Sequence, residues 1–259
     1  MNYATIQVQD AASVRTVLLN RPERRNAMTP EMQRELIAAF EDADRSGVRV
    51  LVLRGAGKAF CSGLDLTVLQ SMHSKSPIEH REDAERIAHL FRTLYELPLP
   101  TIAAVHGPAI AGGTGLAMIC DFTLATQDAK FGFTEARIGF VPALVSAYLA
   151  IQLGDKRSRD LLLTARFFDA EEANRLGLVT EVVLQDQLET RIRELTKTLV
   201  ANSPQSLAAT KRLMAAQHQA WLDHATELAM NANAQVRETA DFREGIAAFL
   251  EKRSPRWAD

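Results

Sequence analysis

One stretch, residues 106–142 (HGPAIAGGTGLAMICDFTLATQDAKFGFTEARIGFVP), limits what this chain can fold into more than any other. The apolar run before it, TIAAV, reads together with His106 as a buried strand. A glycine-rich turn over 107–115 follows, and then an apolar helical segment over 116–120. Glycines at 112, 113 and 115 let main-chain N–H groups approach a ligand closely. The first N–H groups of a helix have no partner within it and point toward negative charge. Such a turn stabilises an anion, either a bound phosphate or an oxyanion formed during reaction. Beyond it stands Glu135, the only acid in FGFTEARIGFVP. A carboxylate beside an oxyanion site is the minimum equipment for proton transfer at a carbon next to a carbonyl.

The rest of the chain supports a layered α/β fold. Residues 3–9 and 13–20 read as two short strands joined by a tight turn. Thr29 and Pro30 suit a helix start, Leu36, Ile37 and Phe40 recur at helical spacing, and Gly47 ends that helix. Residues 49–54 read as a third strand, and 75–97 as a long amphipathic helix carrying Ile87, Leu90, Phe91 and Leu94 on one side. Strands alternating with helices at this spacing argue for a largely parallel sheet. After Pro142 the pattern turns almost entirely helical, with segments near 143–152, 155–164, 170–176, 186–201, 204–217 and 220–251. A boundary near Asn202 divides a core, 1–202, from a helical appendage, 203–259.

Composition narrows the function classes. The 259 residues can bury a core easily, and a net charge of −2 offers no basic surplus, so nucleic acid is not an expected partner. No apolar run reaches membrane-spanning length, and the amino terminus lacks a signal-peptide layout. Cys61 and Cys120 give neither a disulfide framework nor metal-ligand spacing, so a reducing cytoplasm is the expected compartment and no metal is expected.

Four segments in order resemble the crotonase (enoyl-CoA hydratase/isomerase) superfamily. They are NRPERRNA (20–27), GKAFCSGLDL (57–66), the 107–142 stretch, and AEEANRLGLV (170–179). The resemblance implies a spiral of repeated β-β-α turns, a C-terminal helical trimerisation region, and trimers that often pair into hexamers. It also implies that the N–H groups of Leu64 and Gly112 bind a thioester carbonyl oxygen. Contacts to the CoA ester would fall on Arg24, Arg25, Ser62, Gly63, Asp65, Leu66, Gly113 and Gly115. CoA arrives as part of the substrate, so no separate cofactor is implied.

Glu135 matches the second of two glutamates that hydratases of this family use, whereas the first falls on Gly115. Monofunctional enoyl-CoA isomerases of the family likewise keep only the second. A single glutamate can still hydrate by taking a proton from water and delivering one to the α-carbon. Gly115 is then expected to leave room for another water or a branched substrate. The run 134–142 resembles members named methylglutaconyl-CoA hydratase. Hydration of an α,β-unsaturated acyl-CoA is the leading expectation, and double-bond isomerisation the runner-up. From another class, an idle CoA-binding or RNA-binding scaffold on the same fold is opposed by the intact Glu135 and both oxyanion loops.

The other polar residues have plainer readings. His106 reads as a hydrogen-bonded core residue, and Asp65 and Asp121 as turn or capping groups. Asp155, Glu171 and Glu172 suit polar helix starts. Cys61 has no histidine nearby in sequence to activate it. Tyr148 could line an acyl pocket or belong to the core. Arg21, Arg24 and Arg25 form a basic group that is either solvated surface or, by the resemblance, a phosphate contact for the CoA nucleotide. Lys252 and Arg253 could add a phosphate contact from a neighbouring subunit. Residues 55–58 (GAGK) are no P-loop, because position 52 is Val.

Overall fold

The computed structural model describes residues 3–257. The chain opens with an antiparallel hairpin, β1 (Ile6–Ala11) and β2 (Val14–Leu19), and β2 buries alternate residues, as a half-covered strand should. In α1 (Pro30–Arg45) the Thr29 side chain accepts from the Met32 N–H at 3.2 Å and Pro30 occupies the first turn, so the expected start is the observed one. β3 (Val50–Gly55) lies parallel to β2 and buries four consecutive residues, Val50 to Leu53. α2 (Leu66–Met72) precedes α3 (Pro77–Glu96), which begins in a capping box between Ser76 and Glu79. The α3 face carrying Ile87, Leu90, Phe91 and Leu94 is buried, each side chain contributing roughly 1.5–3 kcal/mol relative to exposure.

The central segment supplies β4 (Thr101–Val105), β5 (Ala109–Ile110), α4 (Gly112–Ile119), β6 (Phe122–Thr126) and β7 (Lys130–Gly132). A 3₁₀ turn over Glu135–Ile138 leads into α5 (Ala143–Thr164), β8 (Phe167–Asp169), α6 (Ala170–Leu176), β9 (Glu181–Val183) and α7 (Leu188–Ala201). α8 (Pro204–Val236) and α9 (Ala240–Leu250) finish the chain. The larger sheet has the order β1-β2-β3-β4-β6-β9, parallel after the first pair, and the smaller has the order β5-β7-β8. A parallel bridge from Cys61 to Ala109 adds the segment after β3 to the edge of the small sheet. The central turns, β4-β5-α4 and β6-β7-α5, each place one strand in the large sheet, one short strand in the small sheet, and then a helix. This is the expected spiral.

Two expectations about the second half of the chain need correction, and one holds. The chain after Pro142 is not almost wholly helical, because β8 and β9 complete the two sheets. The segments 143–152 and 155–164 do meet at a break, at Gly154, whose φ of 73° and ψ of 169° are non-helical and kink the span. α8 runs without a break through 218–219, and the interruption falls after Val236, where Thr239 caps α9 by accepting from the Phe242 N–H. Leu222 and Ala229 of α8 are buried in the same apolar cluster as Leu36, Phe40 and Leu90, so α8 is welded to the α/β layers along α3 and α5. No helix among the described residues is long and apolar enough to cross a membrane.

Candidate active site

Two loops meet at the top of the spiral. In the first, the Met28 N–H donates to the Gly63 carbonyl at 2.7 Å and the Asp65 N–H donates to the Met28 carbonyl at 2.9 Å. This bridge uses the neighbours of Leu64 and leaves the Leu64 N–H facing the other way. Gly63 takes φ +84°, and a Cβ there would stand 2.9 Å from Ala111 Cβ and 3.4 Å from Gly112 N. Only a glycine permits that approach, so the 61–64 loop rests directly on the start of α4.

The second loop is held just as tightly. Ala111 sits at φ 54°, ψ −126°, a costly conformation for a residue with a side chain. Its N–H donates to Gly132 O at 2.7 Å, and the buried Thr114 hydroxyl donates to Ala109 O at 2.6 Å, so the surroundings fix the turn. Among the described residues, neither the Leu64 nor the Gly112 N–H has a backbone acceptor. Two preorganised donors from adjoining loops thus stand free, one of them at a helix N-terminus.

Glu135 opens the 3₁₀ turn after β7 and is 7% exposed. Burial without a countercharge pushes its carboxyl up to about 7, and its Oε2 has no hydrogen-bond partner. Leu64, Gly112 and Glu135 share the wall of a cleft of about 510 Å³, whose other lining includes Ile87, Phe91, Leu144 and Val145. The second acid on that wall, Asp65, is already engaged. It caps α2, accepting from the Thr67 N–H at 3.0 Å and hydroxyl at 2.6 Å, and it pairs with Arg21 at 2.9 Å. Burial pushes the Asp65 carboxyl up, but the Thr67 and Arg21 contacts outweigh that and hold it below the usual carboxylate range. Glu135 is the carboxylate left free for chemistry.

Of the other residues expected at the site, Arg24 and Arg25 are exposed and border the cleft, together with Ser62 and Leu66. Gly63, Gly113 and Gly115 lie behind the cleft wall. A Cβ on Gly113 would overlap the Cys61 carbonyl, so that glycine serves the packing of α4 on the 61–64 loop. The room expected at Gly115 is not there. A Cβ at that position would stand 2.6 Å from Val145 Cγ1 and 3.0 Å from Phe91 Cζ, which fill the space.

The plainer readings hold at several positions. His106 makes the expected hydrogen bond, Nε2 to Gly57 O at 2.9 Å, though it is half-buried after β4 and not core, and Tyr148 is core, edge-on to Phe91 and Tyr95. Burial pushes the Cys61 thiol up to about 12, and it donates to Asn26 O. Asp121 accepts from the Thr101 N–H at 2.7 Å, tying β4 to the end of α4. Arg253 pairs with Glu244 and Glu251.

Sequence reasoning missed other contributors. Buried Asn26 donates to Ala56 O, Ala59 O and Phe60 O and accepts from the Arg21 N–H, pinning the loop that carries Arg24 and Arg25. Its signal was its place in NRPERRNA. Asn233 of α8, with Phe249 and Leu250 of α9, closes the cleft from the far end of the chain, and no local pattern marked them.

Comparison with known proteins agrees with this geometry along the whole chain. The family described as "Enoyl-CoA hydratase/isomerase" matches residues 9–259. A relative from Thermus thermophilus, provisionally named an enoyl-CoA hydratase, is 44% identical over 245 residues, which cover 94% of this chain and 97% of that one. The crystal structure of an enoyl-CoA hydratase/isomerase from Xanthobacter autotrophicus Py2 superposes with a TM-score of 0.90 at 30% identity, covering 100% of both chains. That of an enoyl-CoA hydratase from Mycobacterium avium gives 0.87 at 35% identity, again over 100% of both. With the spiral fold, the paired loops and the family pattern all present, this chain is an enzyme of the enoyl-CoA hydratase/isomerase family, built on the crotonase fold.

Proposed function

We propose that the chain is a one-carboxylate enoyl-CoA hydratase. The observation that carries this reading is the buried Glu135 carboxyl, its Oε2 without a hydrogen-bond partner, on the same cleft wall as two free N–H groups. The thioester carbonyl oxygen lies between the N–H groups of Leu64 and Gly112, each stabilising the developing enolate oxygen by about 3 kcal/mol. Ionised Glu135 takes a proton from water as the water oxygen bonds to the β-carbon, and the electron pair of the double bond moves onto the thioester oxygen. The enolate then collapses and the proton on Glu135 passes to the α-carbon, so that one water has been added and the carboxylate is restored. Arg24 and Arg25 at the rim meet the CoA phosphates. The resemblance of 134–142 to methylglutaconyl-CoA hydratases supports a branched acyl chain. Exposed Leu213, Met214, Trp221 and Leu228 on α8 support a homotrimer, or a dimer of trimers, built through the C-terminal helices in the cytoplasm.

A second reading is favoured by the packing at Gly115. With Val145 and Phe91 filling the space beside it and Asp65 held by Thr67 and Arg21, the described residues of the cleft offer no second free carboxylate to divide the work. In a double-bond isomerase Glu135 removes a proton from the α-carbon of a β,γ-enoyl-CoA and returns it to the γ-carbon, while the double bond moves into conjugation. A paired assay separates the two. Loss of absorbance of the conjugated thioester with a gain of one water in mass is the expected result with an α,β-enoyl-CoA. Conjugation appearing from the β,γ isomer at unchanged mass, with no hydration, would replace the hydratase reading with the isomerase.

A further inference from the structure

Thr29 and Thr239 each begin a helix from extended backbone, at φ −98°, ψ 165° and φ −75°, ψ 154°. Each side chain accepts the N–H three residues on, as a capping threonine should. Thr134 begins the Glu135 turn differently. Its φ of −94° and ψ of 10° lie in the sparsely populated bridge between the helical and extended regions. There its carbonyl accepts the Arg137 N–H at 3.0 Å, and its hydroxyl caps nothing. Thr134 is half-buried and lines the cleft beside Glu135, and its hydroxyl has no partner among the described residues.

Water that adds to a double bond is aligned by two acceptors. One takes the proton that leaves, and the other holds the proton that stays, so that a lone pair points at carbon. Glu135 can be the first. A second carboxylate at position 115 is ruled out by the packing of Phe91 and Val145. Among the other polar side chains on the wall, the Thr67 hydroxyl donates to Asp65 at 2.6 Å, and Ser62 donates to Arg24 O at 3.4 Å. Asn233 Oδ1 already accepts from Arg237 at 2.8 Å, so that side chain presents N–H donors, which would compete for the lone pair. The Thr134 hydroxyl can accept while its own proton turns elsewhere.

We infer that Thr134 holds the attacking water for Glu135, taking over the hydrogen bond that a second carboxylate would make. The inference rests on the hydratase reading above and adds a residue to it. The water oxygen bonds to the β-carbon as one of its protons passes to Glu135 and the double-bond pair moves onto the thioester oxygen. Its other proton donates to Thr134 Oγ1 throughout and remains on the product hydroxyl. Thr134 itself gains and loses no bond.

The test sets hydration of crotonyl-CoA and of 3-methylglutaconyl-CoA, one straight and one branched, beside exchange of the α-protons of butyryl-CoA in heavy water. Exchange uses Glu135 and the two main-chain N–H groups but no attacking water. Thr134→Val, similar in shape without the hydroxyl, is expected to lower the kcat of hydration about ten- to a hundredfold. Its KM and its exchange rate should stay within about threefold of the unaltered enzyme. Thr134→Ser, which restores a hydroxyl, should recover most of the lost rate. Hydration by Thr134→Val within threefold of the unaltered enzyme overturns the inference and leaves the hydratase reading standing. So does an exchange rate that falls as far as hydration, since Thr134 would then be placing Glu135 and not the water. If the unaltered enzyme exchanges α-protons but hydrates neither ester, the hydratase reading fails and the inference falls with it.

Discussion

Glu135 carries two properties that pull against each other. Its burial readies the carboxyl to trade protons near neutrality, and the same burial costs stability. An ordinary glutamate titrates near 4.5, and here the folded chain holds its proton up to about 7. Between those values the unfolded chain gives up the proton while the folded chain keeps it, so folding weakens as pH rises through that window and the loss levels off above it. The total is roughly 3 kcal/mol at ~1.4 kcal/mol per unit. Glu135→Gln is therefore expected to gain up to about 3 kcal/mol in denaturant unfolding at pH 8, with the gain vanishing near pH 4. In the proposed hydration the ionised form is the active one, so kcat/KM of the unaltered enzyme should rise with pH to a plateau through about 7. At Gly115 the packing sets the outcome. Gly115→Glu should lose about 1–3 kcal/mol or more to overpacking against Val145 and Phe91, and should not raise hydration. A gain in hydration rate would show that the site can open there.

At the scale of elements, the chemistry depends on short pieces held by close approach. β5, two residues long, and the 61–64 loop bring two N–H groups to one place because Gly63 has no side chain to hold them apart. Gly63→Ala is expected to cut kcat ten- to a hundredfold with a smaller change in CoA-ester affinity, a split that steady-state kinetics with direct binding would reveal. These elements also show where sequence reading works and where it stops. The β4 run, the turn before α4 and the lone acid Glu135 were legible because composition and turn chemistry act locally. β5, β7, β8 and β9 were not, since two- and three-residue strands carry no periodicity and exist only through partners far along the chain. The break expected near 218 in α8 failed because packing on α3 and α5 keeps that helix continuous. The space beside Gly115 could not be read at all, because residues distant in sequence, Phe91 and Val145, fill it. Asn233 lies in a helix rich in exposed polar residues, and nothing local distinguished it.

Across the whole molecule, the end of the chain completes a site begun near its start. Gly245 of α9 packs so tightly on the Glu135 turn that an added Cβ would overlap the Ile138 carbonyl, and Phe242 packs tilted against Phe140 at 5.4 Å between ring centres. Phe249 and Leu250 reach the cleft itself. The C-terminal helices therefore position the Glu135 turn as well as offering an apolar outer surface. All these elements converge on one claim, that a single carboxylate moves the proton on a thioester held by two main-chain N–H groups. The most direct test measures enoyl-CoA turnover by Glu135→Gln beside its affinity for a saturated CoA ester. A fall in kcat of about a thousandfold or more, with affinity retained within a few-fold, is the expected result. Turnover close to that of the unaltered enzyme would contradict it.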